Sequence, residues 1–488
     1  MSHEVFISTL ALIGLVILVA SLLSGAVERT GVPQVAIFIL LGVVLGPSGL
    51  GVVDLPIHSP TLQVIATLAL LLVLFSDAIG IDLGEVRQQR RLATLILGPG
   101  TLIPAVLIAL AAWLLLGLSP AAAAVLGASL ASTDPVLLRT LTRHPAVPPS
   151  ARLGLKLESG MNDVILLPIV VLGMLLHQGD AGRDEVSRKL IGLFILGPLL
   201  GTVVGYAAIT LLDRIRKAFG VRRDYESLYA LGVALTAFAA AEAAGGSGFL
   251  AGFAAGLVIA ALDVELCDCF LDYGEASAEM FLLLTFVAFG AGLIWTGLAV
   301  ADARTLVFAV FALLIRTLVL LPVLSRSGIT TKNCWIIAWF GPRGLSSLLL
   351  VLVPVFAGVP GAERLFSITC LVVLLSVVLH GGGIAYYLRR LARAAEVTAP
   401  RESTSRPAPR PLKPDPETEV AERITLDEVK RLQEEGAPYL MVDVRTERSY
   451  RDDQKRAAGA LRLPPDDAVR LARERRLDPD ATLVLYCA

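Results

Sequence analysis

Seven ionisable side chains stand inside stretches otherwise built from Ala, Leu, Val, Ile and Gly: Asp77, Asp134, Glu158, Asp163, Glu242, Arg316 and Arg343. Holding Asp or Arg at the centre of a lipid bilayer costs at least ~2.5–3.5 kcal/mol on insertion scales, so a residue kept there has work to do. Asp77 and Glu242 lie close enough to segment ends for a snorkelling charge to explain them. Asp134, Asp163 and Arg343 lie deeper. Around Asp163 the spacing is informative. Ser159 and Asp163 are four apart, Ser159 and Asn162 three, and Glu158 and Asn162 four, so a helix presents a hydroxyl, an amide and a carboxylate on one face. Oxygen ligands of that kind suit a hard cation that has shed part of its water. Hydrogen bonding between helices accounts for Ser159 or Asn162 singly but leaves Asp163 as a needless cost. A carboxylate cannot hold a metal cation and a proton at once, so binding of either displaces the other.

The elements that must position these groups are membrane spans. The chain has 488 residues, 55% of them hydrophobic, with a formal net charge of −1. The charge is unevenly spread: 49 of residues 1–395 are charged against 36 of the much shorter 396–488, which separates a membrane part from a soluble one. About 20 apolar residues cross about 30 Å of hydrocarbon. Such stretches occur at 5–24, 32–51, 60–80, 92–117, 120–142, 153–177, 190–213, 227–243, 246–264, 277–297, 303–324, 332–356 and 364–388, which predicts an all-α multi-spanning membrane protein with thirteen crossings. The first reads as a retained span because Ser2-His3-Glu4 offers no basic leader. Lys and Arg number 18 on the odd connections and the stretch after the last span, against five on the even ones, placing the N-terminus outside and the tail in the cytoplasm of the cell membrane.

Two spans are interrupted. Ser132-Thr133-Asp134-Pro135 breaks the fifth and Gly341-Pro342-Arg343-Gly344 the twelfth, because each Pro removes a backbone donor and strains the preceding turn. The two run in opposite directions yet break at similar depth. An inverted repeat predicts this arrangement, spans one to six against eight to thirteen, with ions bound where the discontinuous helices cross. The freed carbonyls are then available to a cation, and Arg343 either balances the half-helix dipoles or pairs with a carboxylate.

These residues resemble the sodium/proton antiporters of the first monovalent cation:proton antiporter family, relatives of the sodium/hydrogen exchangers. The shared strings are Leu74-Phe75-Ser76-Asp77-Ala78, Ser132-Thr133-Asp134-Pro135, Glu158-Ser159-Gly160-Met161-Asn162-Asp163, Gly246-Ser247-Gly248-Phe249-Leu250-Ala251-Gly252, Arg316, and Phe340-Gly341-Pro342-Arg343-Gly344-Leu345. The resemblance implies that Asp163 is the shared carrier of cation and proton, helped by Thr133, Asp134 and Ser159. It implies that Asn162 marks electroneutral exchange, and that Glu158 pairs with an arginine, Arg343 in preference to Arg316. It also implies a homodimer serving pH homeostasis, with Na⁺ or another monovalent cation as substrate and no cofactor.

Residues 396–422 form a Pro-rich linker and 423–488 a small α/β fragment, with a capped helix over 425–435 and strands at 439–444 and 483–486. Val442-Asp443-Val444-Arg445, Tyr450, Ala458-Gly459-Ala460-Leu461-Arg462-Leu463-Pro464 and Leu483-Val484-Leu485-Tyr486-Cys487 resemble a rhodanese domain, which makes Cys487 the thiol. An activated thiolate needs a loop of backbone N–H groups after it, so sulfur transfer, and with it enzyme activity, is not expected. Five cysteines without regular spacing exclude a disulfide framework. The near-zero charge excludes nucleic acid as a partner. The competing readings are a cation channel or potassium pathway with a redox-sensing domain, against which no Thr-Val-Gly-Tyr-Gly filter is found, and a membrane-tethered sulfurtransferase.

Overall fold

The computed structural model describes residues 34–81, 83–144, 146–178, 183–219, 223–262 and 268–398, a helical piece at 13–19, and, in the C-terminal part, 439–445, 459–464, 468–475 and 482–486, with a few residues besides. The linker from 399 onward, most of the expected helix over 425–435, Cys267 and Cys487 lie outside the described residues. The chain divides into two units, Met1–Ala399 and Pro400–Ala488.

The first unit is helical. Its early helices are α1 (Gln34–Leu45), α2 (Pro60–Ile79), α3 (Leu83–Gln88), α4 (Arg90–Leu97), α5 (Pro99–Leu116), α6 (Pro120–Ala131), α7 (Pro135–Arg143) and α8 (Pro149–Gln178). Then come α9 (Arg183–Ile191), α10 (Gly197–Phe219), α11 (Arg223–Ala243), α12 (Gly248–Leu262) and α13 (Asp268–Ala291). The last are α14 (Thr296–Ala299), α15 (Ala303–Leu324), α16 (Thr331–Trp339), α17 (Leu345–Phe356), α18 (Ala362–Ser376) and α19 (Gly382–Thr398).

The starts follow local chemistry. Ser59 and Ser119 cap α2 and α6 through their hydroxyls, each with Pro as the next residue, and Asp302 accepts from the N–H of Thr305 at 2.7 Å to open α15. Seven helical spans among the described residues are long and apolar enough to cross a bilayer, and an eighth is bent by 57° where α13 meets the 3₁₀ turn Leu293–Trp295. Four shorter apolar helices, α1, α12, α17 and the apolar part of α11, add to them. The span expected at 277–297 as one rod is therefore an elbow, fixed by the Trp295 indole donating to the Gly290 carbonyl at 2.8 Å. The span expected at 190–213 is longer, Ser187–Phe219, and passes through a π turn at Gly192–Leu196.

The helices pack as two groups. One gathers α4 to α8 with α15 to α19; the other gathers α1, α2 and α10 to α13. Between lipid-soluble helices there is no hydrophobic drive, so close packing of small residues holds them together. Gly201 and Gly205 of α10 lie directly against Ala251 and Ala255 of α12, one turn apart on both helices. The seam between the groups is formed mainly by α2 against α8 and α17. At its edge Arg139 of α7 forms an ion pair with Glu279 of α13.

In the C-terminal unit, β1 (Tyr439–Asp443), β2 (Leu461–Arg462) and β3 (Thr482–Tyr486) make a parallel sheet in the order β2-β1-β3, with Met441 opposite Val484 and Val442 opposite Leu461. Parallel strands need crossovers, and α20 (Ala468–Glu474) lies in the one that carries the chain from β2 to β3 on the other side of β1. Val442 is fully buried, and the buried Asp443 carboxylate accepts from Nη2 of Arg445 at 2.8 Å.

Candidate functional site

The two sequence breaks meet. The N–H of Asp134 donates to the carbonyl of Pro342 at 2.9 Å, joining the gap between α6 and α7 to the gap between α16 and α17. A broken helix exposes carbonyls at the end of its first half and N–H groups at the start of its second, each end carrying about half an elementary charge. Three buried side chains meet those demands. Arg343 donates through Nη1 to the carbonyls of Ala131 and Ser132, at 2.7 and 2.9 Å, closing the end of α6. Arg316, on α15, donates to the carbonyls of Ala338 and Ile337 at 2.5 and 2.8 Å, closing the end of α16. Asp134 serves both starts: Oδ1 accepts from Val136 at 2.7 Å and Leu137 at 3.4 Å, while Oδ2 accepts from Leu345 at 2.6 Å. The glycines of the second break follow from this crowding. A Cβ on Gly344 would collide with the Asp134 carboxyl, and one on Gly341 with the Arg316 guanidinium.

The sequence expected freed carbonyls to be open to a cation. They are taken by guanidinium groups instead, since an arginine fork supplies charge and directed donors together. A second correction concerns Glu158. It pairs with Arg316, Nε to Oε1 at 2.6 Å and Nη2 to Oε2, and not with Arg343. Arg343 is the helix-end balance that was the alternative. Thr133 belongs to the same network: its hydroxyl donates to Glu158 at 3.2 Å and lies 3.3 Å from Arg343 Nη1.

Asp163 meets that network only through Ser132. It is 2% exposed and accepts a short hydrogen bond from the Ser132 hydroxyl through Oδ1, while Oδ2 has no protein partner. Beside it in sequence, both polar atoms of the buried Asn162 side chain are unpartnered, as is the hydroxyl of Ser129, one turn before Ser132. Each such atom costs about 1–3 kcal/mol if left dry. Oxygen donors held unsatisfied in this way fit a cation that replaces its water shell with protein oxygens. Among the described residues no Lys or Arg forms an ion pair with Asp163.

Ser159 donates to the Leu155 carbonyl of its own helix at 2.9 Å, which leaves the lone pairs of its oxygen available to accept. It lines, with Ser76, Asp77, Pro135, Arg139, Lys156 and Gly160, a cavity of about 420 Å³ in the seam. Asp77 lies over Gly160, where an added Cβ would meet its carboxyl carbon at 3.5 Å. Glu242 is spent on structure, accepting from the N–H of Gly248 at 2.8 Å to open α12. Of the expected ligand set, then, Asp163 and Ser159 share a helix face, whereas the carboxylate of Asp134 and the hydroxyl of Thr133 are committed to the crossing. Sequence reasoning named Ser132 only as part of the first break and passed over Ser129, which lies on the apolar helix leading into it, where a hydroxyl has few other uses.

A family model described as sodium/hydrogen exchanger, transmembrane, matches residues 14–390. The chain belongs to that family. Its members are cation:proton antiporters and not enzymes. The chain is 25% identical over 406 residues to the K(+)/H(+) antiporter NhaP of Alkalimonas amylolytica, an overlap of 81% of this chain and 68% of that one. It is 27% identical over 269 residues to the Na(+)/H(+) antiporter NhaS2 of Synechocystis sp., covering 54% and 48% of the two chains. The solved sodium proton antiporter MjNhaP1 of Methanocaldococcus jannaschii shares the fold, with a TM-score of 0.64 at 19% identity over 78% of this chain and all of that one.

Proposed function

We propose that this antiporter exchanges one monovalent cation for one proton at Asp163, without net movement of charge. The observation that carries the reading is the charge balance of the buried crossing. Among the described residues of the first unit, the buried Asp, Glu, Lys and Arg side chains are Asp134, Glu158, Asp163, Arg316 and Arg343. Two arginines offset Asp134 and Glu158, so Asp163 carries the single surplus negative charge. An isolated carboxylate in a low-dielectric interior is strongly disfavoured. One proton or one monovalent cation cancels it equally, and each must leave before the other binds. The neighbouring Asn162 adds no second charge, so the loaded site is neutral with either occupant and a membrane potential has no grip on it.

Potassium and sodium are both named cargo among the relatives, and the reading covers either. The cavity in the seam, lined by Ser159 and Asp77, serves as the path from one side. Alternation comes from movement of the group carrying the two breaks against the group of α1, α2 and α10 to α13. In keeping with the Lys and Arg distribution, the N-terminus faces outward and the C-terminal rhodanese-like unit lies in the cytoplasm. Thirteen crossings arranged as an inverted repeat, working as a homodimer, complete the reading. The test is exchange in proteoliposomes loaded with a pH-sensitive dye, using Na⁺, K⁺ and Li⁺ in turn, with and without a valinomycin-clamped potential. Rates that rise or fall with the imposed potential would refute electroneutrality.

A further inference from the structure

His380 takes no part in the exchange chemistry described above, yet it is 2% exposed and connected to the crossing by consecutive hydrogen bonds. Residues in the second break lack helical partners, so the N–H of Arg343 needs another acceptor. It donates to the hydroxyl oxygen of Ser376, on α18, at 2.7 Å. That hydroxyl has one proton of its own, and Nδ1 of His380 lies 3.0 Å away, an acceptor when the neutral imidazole carries its proton on Nε2. From the other side, the His380 ring sits 6.1 Å from that of Trp339, the last residue of α16 before the break. The helix is altered to allow this. Val377–Gly381 forms a π turn between α18 and α19, a departure from α geometry that recurs at functional positions because it re-aims side chains at the cost of regular bonding.

We propose that His380 is a positioning residue for ion exchange. The imidazole fixes the Ser376 hydroxyl, Ser376 fixes the backbone of Arg343, and the Arg343 guanidinium holds the Ala131 and Ser132 carbonyls at the end of α6. Ser132 is the residue whose hydroxyl touches Asp163. A chain of named bonds thus runs from a side chain remote from the cation to the carrier carboxylate. The function lies in the acceptor nitrogen, not in the bulk of the ring. With no acceptor at this position the Ser376 proton turns elsewhere, Arg343 loses its anchor and Ser132 is no longer held in register. This inference rests on exchange at Asp163.

The test compares two replacements in the full-length protein in proteoliposomes. His380→Asn keeps an acceptor, its Oδ1 standing where Nδ1 does, but loses the ring; His380→Leu fills space and accepts nothing. The expected exchange rate falls at least tenfold for Leu and stays within threefold of the parent for Asn. Ser376→Ala, which keeps the fold's shape and removes the link, is expected to match His380→Leu, and the two together to be no worse than either alone. Equal rates for Leu and parent, Asn as impaired as Leu, or additive losses in the double variant would each overturn the proposal. Size-exclusion profiles separate misfolding from loss of rate; if the histidine variants do not assemble, the Ser376→Ala rate alone decides, a parent-like value overturning it. A parent protein that exchanges nothing would refute the function reading and leave no reaction for His380 to assist.

Discussion

Arg316 and Glu158 face each other as a two-pronged ion pair in the interior of the crossing, both nearly free of solvent, although 158 residues separate them in sequence. Removing one partner of a buried pair strands the other charge, at a cost of about 3–5 kcal/mol, whereas removing both is far milder. Arg316→Met and Glu158→Gln are each expected to lower thermal stability sharply. The double variant should recover part of the loss that concerns Glu158, though not the carbonyls of Ile337 and Ala338 that Arg316 also caps. Thermal unfolding of the detergent-solubilised protein, followed by fluorescence-detected size exclusion, checks the order.

Asp163→Asn keeps the size of the side chain and the bond to Ser132 while removing the charge that, in the proposed mechanism, proton and cation share. Exchange is expected to disappear with assembly unchanged. Dye dequenching in proteoliposomes measures it, and parent-like rates in this variant would remove Asp163 from the mechanism.

Gly344→Ala places a methyl group where the Asp134 carboxyl stands. Asp134 is held by three backbone N–H groups and cannot step aside without opening two helix starts, so each lost cap adds about 1 kcal/mol to the strain of overpacking. The variant is expected to be less stable by at least ~3 kcal/mol and to exchange poorly. Alanine at Gly232, where nothing lies in the path of an added Cβ, is the control and should behave as the parent.

In the C-terminal unit the Arg445 guanidinium beside Asp443 holds its carboxyl below the usual carboxylate range. A depressed carboxylate pKa gives stability that is complete above the unfolded value, about pH 4, and is lost as pH falls through the lower folded value. Resistance of this unit to limited proteolysis in the full-length protein is therefore expected to hold from neutral pH down to about pH 4 and to fail below it. Arg445→Met lowers that resistance at neutral pH and flattens its dependence on acid. Unchanged resistance in the variant would show that the pair contributes nothing.

Much of the site was legible because the cost of a charge in an apolar segment is a property of sequence. Asp163, Asp134, Arg316 and Arg343 announce themselves that way, as do the two Pro-containing breaks. What sequence could not supply was the pairing. Glu158 can reach an arginine on either of two neighbouring helices, and only the crossing geometry assigns it to Arg316 while sending Arg343 to the end of α6. Ser132 was legible as part of the first break but not as the contact of Asp163, for the opposite reason: a hydroxyl in an apolar segment costs little, so nothing in its composition marks it out from Thr133 beside it. The elbow after α13 was hidden likewise, because Gly292 interrupts an otherwise continuous apolar run and hydropathy does not register direction.

One carboxylate, on Asp134, closes the starts of two helices that are distant along the chain. Neither interruption is thus a portable module. A chimaera that borrows a single interrupted helix from a homologue brings in a half-socket whose mate was shaped for another partner, and grafts in this fold should succeed only when residues 120–143 and 331–356 are exchanged as a set.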